Sequence, residues 1–222
     1  FLHPENSLPG LLQLRKELRG VADSFWREEK LAALDRIILR AAGVMAECVT
    51  GSEETTPGSS LDFALNLVVR PGRTPVSLVA VGWPGKDSSC NISLKHDSLI
   101  TLNKNILIPQ NAPVTEPYWL SAPSKDGAHY PVPADTLLGL PETPAALATR
   151  LVFRIGDESL EASVLLSSKK LDPLKGDVVL PLRIVPEVSV ALSGDLLVAR
   201  ADGSLQTSVR LGSARAVTGA TL

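Results

Sequence analysis

Near Val44 the hydrophobic period of this chain changes from 3.6 residues to 2, and that switch limits it to a short helical start followed by strands. Before it, Leu8, Leu11, Leu12, Leu18 and Val21 recur at helical spacing, with Pro9 tolerated in a first turn behind a Ser7 cap. After Gly20 and Asp23, the run from Ser24 to Lys30 starts a second helix. Its apolar stripe is Leu31, Leu34, Ile37/Ile38, Ala41/Ala42 and Met45, and Arg27, Glu28, Lys30, Asp35, Arg36 and Arg40 are expected to face outward. Neither helix is long enough to stand alone, so residues 1–45 read as a helical hairpin packed on something else.

Beyond Val44 the clearest strand is Leu61–Arg70, with Leu61, Phe63, Leu65, Leu67 and Val69 on one face. Pro71-Gly72-Arg73 ends it, and Val76–Trp83 follows. Shorter candidates are Asn91–Lys95, Leu99–Asn103, Leu151–Ile155, Leu160–Leu166, Val178–Val185 and Val188–Leu192, then Leu196–Ala199 and Leu205–Leu211. Many short strands between Pro/Gly turns, with no intervening helices, predict a mainly β chain. The expected form is an antiparallel immunoglobulin-like β-sandwich over 46–187, preceded by the hairpin. Residues 108–144 hold almost half of the 17 prolines and read as a long loop over the sandwich surface. The tract 188–222 is too short for a sandwich of its own, so it supplies either additional strands or the start of a further β-module.

Composition narrows the function. Lys plus Arg number 22 against 24 Asp plus Glu, with no basic run, which argues against nucleic-acid binding. No apolar stretch approaches the ~18 residues of a membrane helix, so membrane insertion is not expected. Cys48 and Cys90 belong to no metal-ligand spacing and read as two buried or half-buried thiols on strands, with a disulfide between them left open. The first residue is Phe1 and the single Met is internal, which suggests a fragment or processed product.

The 3 His residues give no active-site pattern. His3-Pro4-Glu5 has no further ligands at metal spacing. His96-Asp97 on a strand would point to opposite faces. His129 lies near Asp126, Tyr130 and Asp135 without a nucleophile motif. The pairs Glu28/Glu29 and Glu53/Glu54 read as solvated neighbours. Catalytic, cofactor-binding and metal residues are therefore all expected to be none. One cluster remains, Glu116-Pro117-Tyr118-Trp119-Leu120 with His129-Tyr130, which places three of nine aromatics in one loop. Tyr118, Trp119, His129 and Tyr130 are candidate ligand or partner contacts, because Tyr and Trp combine apolar faces with polar tips. The competing reading, favoured here, is that Tyr118 and Trp119 anchor the loop, their polar atoms bonded to backbone.

Val114-Thr115-Glu116-Pro117-Tyr118-Trp119-Leu120, Tyr130-Pro131-Val132 and Leu138-Gly139-Leu140-Pro141-Glu142-Thr143-Pro144 resemble the region downstream of the catalytic domain in large bacterial PIG-L/LmbE-type deacetylases (the GlcNAc-PI de-N-acetylase family). So do Asp172–Asp177, Pro181–Pro186 and the helical stretch Leu34–Gly43. The resemblance implies a non-catalytic accessory module of a zinc-dependent de-N-acetylase. Zinc would sit only in the missing catalytic domain, whose His-Pro-Asp-Asp signature is not matched by His3-Pro4-Glu5-Asn6. It implies as partners that catalytic domain and neighbouring β-modules, and an exported, periplasmic or surface setting. The alternative expectation is a carbohydrate-binding module that uses the loop aromatics to target the parent enzyme to glycan.

Overall fold

The computed structural model describes residues 3–84, 86–124, 126–131, 134–194 and 198–213. It divides into two compact units. The first comprises Phe1–Glu53, Ser60–Ile106 and Pro144–Leu182; the second comprises Glu54–Ser59, Leu107–Thr143 and Arg183–Leu222.

The first unit opens with a 3₁₀ turn, Pro4–Ser7, that runs into α1 (Leu8–Leu18). Ser7 occupies the N-cap position but is itself helical and makes no side-chain cap, because the 3₁₀ turn already feeds the helix. Helix α2 (Ser24–Ala41) is capped by Asp23, whose carboxylate accepts from the Trp26 amide at 3.2 Å. Leu8, Leu34, Ile38 and Leu39 are buried. The expected stripe is narrower than its sequence suggests, since Ile37 and Met45 are more than half exposed. Gly43, at φ 70°, reverses the chain after α2. A Cβ there would lie 2.7 Å from Arg70 Cβ, so both the conformation and the space demand glycine.

The strands of this unit are β1 (Val44–Thr50), β3 (Ser60–Val69), β4 (Val76–Trp83), β5 (Lys86–Ser93), β6 (Ile100–Leu107), β7 (Ala148–Ile155), β8 (Glu158–Asp172) and β9 (Gly176–Pro181). They form a single sheet in the order β5-β4-β7-β8-β1-β3-β6, with β9 also on β8. In β3 the alternation read from sequence is the alternation of burial: Leu61, Phe63, Leu65, Leu67 and Val69 are each at most 5% exposed. Each such burial contributes about 1.5–3 kcal/mol. Val76, Leu78, Val81 and Trp83 of β4, Leu151, Phe153 and Ile155 of β7, and Leu160 and Leu166 of β8 are buried with them.

The chain is mainly β with an N-terminal helical hairpin, but its strands do not form an antiparallel immunoglobulin-like sandwich. Strand β8 is the reason. It extends well past the expected Leu160–Leu166, pairing antiparallel with β7 from Glu158 to Leu165 and with β9 from Ser167 to Asp172. At Leu166–Ser168 it also runs parallel to Cys48–Thr50 of β1. One long strand thus joins both halves into a curled, mixed sheet. The curl brings Trp83 of β4 and Phe63 of β3 within 5.7 Å between ring centroids, although β7, β8 and β1 lie between their strands in the sheet order.

In the second unit, β2 (Glu54–Thr55) pairs parallel with β10 (Arg183–Ile184), and Ile108 and Ile184 are buried. Strands β11 (Val188–Leu192) and β12 (Val209–Ser213) form an antiparallel ribbon. The expected strand Val178–Val185 is therefore split between β9 and β10, where Leu182 interrupts the ladder. Part of the expected Leu196–Ala199 lies outside the described residues.

Candidate functional site

The aromatic loop is built on two short 3₁₀ turns, Tyr118–Leu120 and Asp135–Leu137. Pro117 precedes the first, and the Tyr118 amide then donates to Thr143 Oγ1 at 2.9 Å while that hydroxyl donates to the Glu116 carbonyl at 2.8 Å. The Tyr118 hydroxyl donates to the Leu140 carbonyl at 2.9 Å, and Ser121 Oγ donates back to the Tyr118 carbonyl. The first three of these bonds tie the two arms of the loop together around Tyr118, and the fourth closes its own turn. Its ring meets Trp119 edge to face, centroids 5.0 Å apart and 86° between planes. Tyr118 is half-buried, whereas Trp119 is 39% and Tyr130 49% exposed.

His129 sits in a separate turn. Asp126 Oδ1 accepts from the amides of Ala128 at 3.0 Å and His129 at 2.8 Å, and its Oδ2 meets His129 Nδ1 at 2.5 Å. The His129 and Ala128 amides, with the imidazole, lower the Asp126 carboxyl to about 2. The imidazole is almost wholly solvent-exposed, so the pair shapes a turn and holds no enclosed reacting atom. Among the described residues, the structure brings Tyr118 and Trp119 into ring contact with each other and joins neither to His129 or Tyr130 by a hydrogen bond or ring contact.

The most buried ionic group among the described residues lies elsewhere, in the first unit. Arg15 of α1 grips Asp35 of α2 with two bonds, Nε–Oδ1 at 2.6 Å and Nη2–Oδ2 at 3.0 Å, and donates from Nη1 to Glu158 Oε2 at 2.6 Å. Arg19 reaches the same Glu158 oxygen at 2.8 Å. The bidentate bond to Asp35 is the main cause that raises the Arg15 pKa, with Glu158 adding to it against the effect of burial. Asp35 therefore does not face outward as its helical position suggested. Sequence reading passed over Arg15 and Glu158 because they stand 143 residues apart, and no local pattern links them. The cluster locks the hairpin onto the first residue of β8 and consumes its own charges, two cations facing two carboxylates.

The remaining candidates are dispersed. Cys48 and Cys90 are both free thiols, so they form no disulfide. Cys48 is buried with Sγ 3.4 Å from Thr149 Oγ1, Cys90 is half-buried near the Leu78 carbonyl, and burial raises both thiol pKa values. His96 lies in a lone bridge to Val69 instead of a strand, and its Nδ1 donates to the Arg70 carbonyl at 2.8 Å. Asp97 follows in the left-handed region at φ 52°, so the pair does not lie on one strand. The exposed His3 imidazole meets the Glu5 carboxylate at 3.1 Å. Among the described residues, no three His, Cys, Asp or Glu side chains gather as a metal site, and no helix is long and apolar enough to cross a membrane.

No protein-family model matches the sequence, and no curated protein matches it. Two solved structures are similar over part of their length. One is the alkylpurine DNA glycosylase AlkC of Pseudomonas fluorescens bound to DNA containing an abasic site analog, with 12% identity over 69% of this chain and a TM-score of 0.26. The other is the sporulation control protein Spo0M of Bacillus subtilis, with 6% identity over 56% of this chain and a TM-score of 0.24. The chain spans 42% and 49% of those proteins, and likeness at this level assigns neither fold nor function.

Proposed function

We propose that this chain is a non-catalytic accessory module of a PIG-L/LmbE-like zinc-dependent de-N-acetylase, positioning a catalytic domain. The observation that carries the reading is the hairpin. The Arg15–Asp35–Glu158 cluster fixes it rigidly to the sheet, while Phe25 and Trp26 near its tip are 64% and 54% exposed. These two rings pack edge to face 5.2 Å apart, and Lys30 lies over Trp26. A rigid mount carrying an exposed aromatic pair suits a contact with a neighbouring domain. In this reading the partner holds the zinc, this chain works beside it without chemistry of its own, and the assembly is exported. The test joins the chain to a PIG-L/LmbE-like catalytic domain and follows the melting temperature of that domain. The module is expected to raise it, and the double substitution F25A/W26A to remove the increase. An unchanged melting temperature with and without the module contradicts the reading.

A second reading, a carbohydrate-binding module, draws support from Trp119. Its ring is partly exposed and braced from the side by Tyr118, an arrangement suited to stacking on a sugar ring. Calorimetry with chitin- and peptidoglycan-derived oligosaccharides tests it. Binding that Trp119→Ala abolishes supports a glycan contact, and no heat with any sugar removes it.

A further inference from the structure

Strands β11 and β12 pair with each other and with no other described strand. Their register sets Val190 opposite Leu211 and Leu192 opposite Val209, with Val188 opposite Ser213. Successive residues of a strand point to opposite faces, so the five Val and Leu side chains share one face. The other face carries Ser189, Ala191, Gly212 and Arg210, which is the one charged residue of the two strands.

A two-stranded ribbon is marginal in water unless its apolar face packs on a further layer. That layer is missing among the described residues. Every residue of both strands is exposed, and Val190, at the centre of the face, is the most exposed of the five at 65%. Together the five side chains offer a contiguous patch of roughly 400–500 Å², a size that on a monomer often marks a contact.

The chemistry of the face narrows what can cover it. It holds no charge, and its one hydroxyl, Ser213 at its end, donates to the Glu187 carbonyl at 3.1 Å. A glycan, a nucleic acid or a charged peptide finds nothing there to bond. The face fits a second flat, apolar β-surface, and an identical ribbon supplies one. A two-fold contact sets a patch against its own copy, which requires a patch that does not repel itself. This one meets that condition, because Arg210 lies on the far side. Two such faces bury roughly 800–1,000 Å² in total, which is the range of weak, reversible pairing.

We propose that this chain self-associates through the ribbon. Two copies pack their β11–β12 faces into a small four-stranded sandwich, with Val190 and Leu211 at its centre. An interface of that size half-assembles at on the order of 100 µM, so at about 1 µM the ribbon is bare. The contact lies on a different element from Phe25 and Trp26 and does not rest on the deacetylase reading.

The test is sedimentation equilibrium of the full chain from about 5 µM to about 500 µM, a range that spans assembly by mass action. The mass is expected to rise from monomer toward dimer and no further, because a closed two-fold pairing leaves no face free. Val190→Lys puts an unpaired charge at the centre and is expected to weaken association by more than about tenfold. Ala191→Lys, the adjacent position on the opposite face, is expected to leave it unchanged, which separates loss of the contact from damage to the ribbon. F25A/W26A is also expected to leave the dimer intact, which keeps this outcome distinct from that of the hairpin tip. A monomer throughout the range overturns the proposal and leaves the ribbon to a different partner. So does a dimer that Val190→Lys leaves intact, or one that Ala191→Lys or F25A/W26A disrupts.

Discussion

Strands β3 and β11 carry the same pattern in sequence and meet opposite fates in the structure. In β3, alternate Leu, Phe and Val side chains vanish into the core, flanked by β1 and β6. In β11, Val188, Val190 and Leu192 alternate just as regularly and face Val209 and Leu211 of β12 across the ribbon. All five remain 37–65% exposed. Alternation therefore specifies a strand and its two faces, whereas burial requires a further layer that the strand itself cannot encode. The lesson extends to the two units. In the first, one eight-stranded sheet supports a core and an ionic clamp; in the second, the described strands pair as two-stranded sheets, β2 with β10 and β11 with β12.

The contrast can be broken most forcefully in the core. Phe153→Ala, at a fully buried position of β7, is expected to lose about 3–5 kcal/mol of unfolding free energy in urea. A loss below about 1 kcal/mol would mean that the sheet does not carry the stability assigned to it. Arg15→Met is expected to cost about 3 kcal/mol, because it leaves Asp35 half-buried without its cation and buried Glu158 with Arg19 alone. Replacing all three charges together with apolar residues should recover much of that loss, which separates an uncompensated charge from lost packing. Gly43→Ala is expected to cost about 1–3 kcal/mol, from the left-handed backbone and the close approach of Arg70.

In the second unit the expected effects are local and small. Asp126 has its carboxyl lowered to about 2 from an ordinary 3.8, so its contribution is present above about pH 4 and is lost as pH falls toward 2. Amide shifts of Ala128 and His129 should titrate over that window, and Asp126→Asn should abolish the titration while leaving the Phe153 region unchanged. At the bottom of the scale, Val190→Ala on the exposed ribbon should alter global stability by no more than about 0.5 kcal/mol. A loss comparable with that of Phe153→Ala would show that the ribbon is covered in solution.

Much of this architecture was legible in the residues. Val76–Trp83 is β4 to the residue, Ser24 begins α2, and the face of β3 could be read directly. Strand β1 was not, because Met45 and Val49 lie on its outer parity while Cys48 and Thr50 fill the buried positions, so its apolar residues do not mark one face. The second half of β8 escaped for a related reason. Ser167–Asp172 has little apolar periodicity and is held by its backbone ladder to β9. The Arg15–Glu158 pair joins residues distant in the chain, and no local spacing reveals such a meeting. The loop aromatics were visible as a group, but only folding shows Tyr118 bound to Leu140 and His129 bound to Asp126 in different turns.

The role proposed above for this chain is to serve a neighbouring catalytic domain without performing the hydrolysis itself. Its most direct test measures acetate release from N-acetylglucosamine oligomers by the chain alone, by a zinc-loaded PIG-L/LmbE-like catalytic domain alone, and by the two joined. The account predicts no release above the blank for the chain alone, and a joined protein that outlasts the catalytic domain by itself at elevated temperature. Acetate release at enzymatic rates by the isolated chain would contradict it.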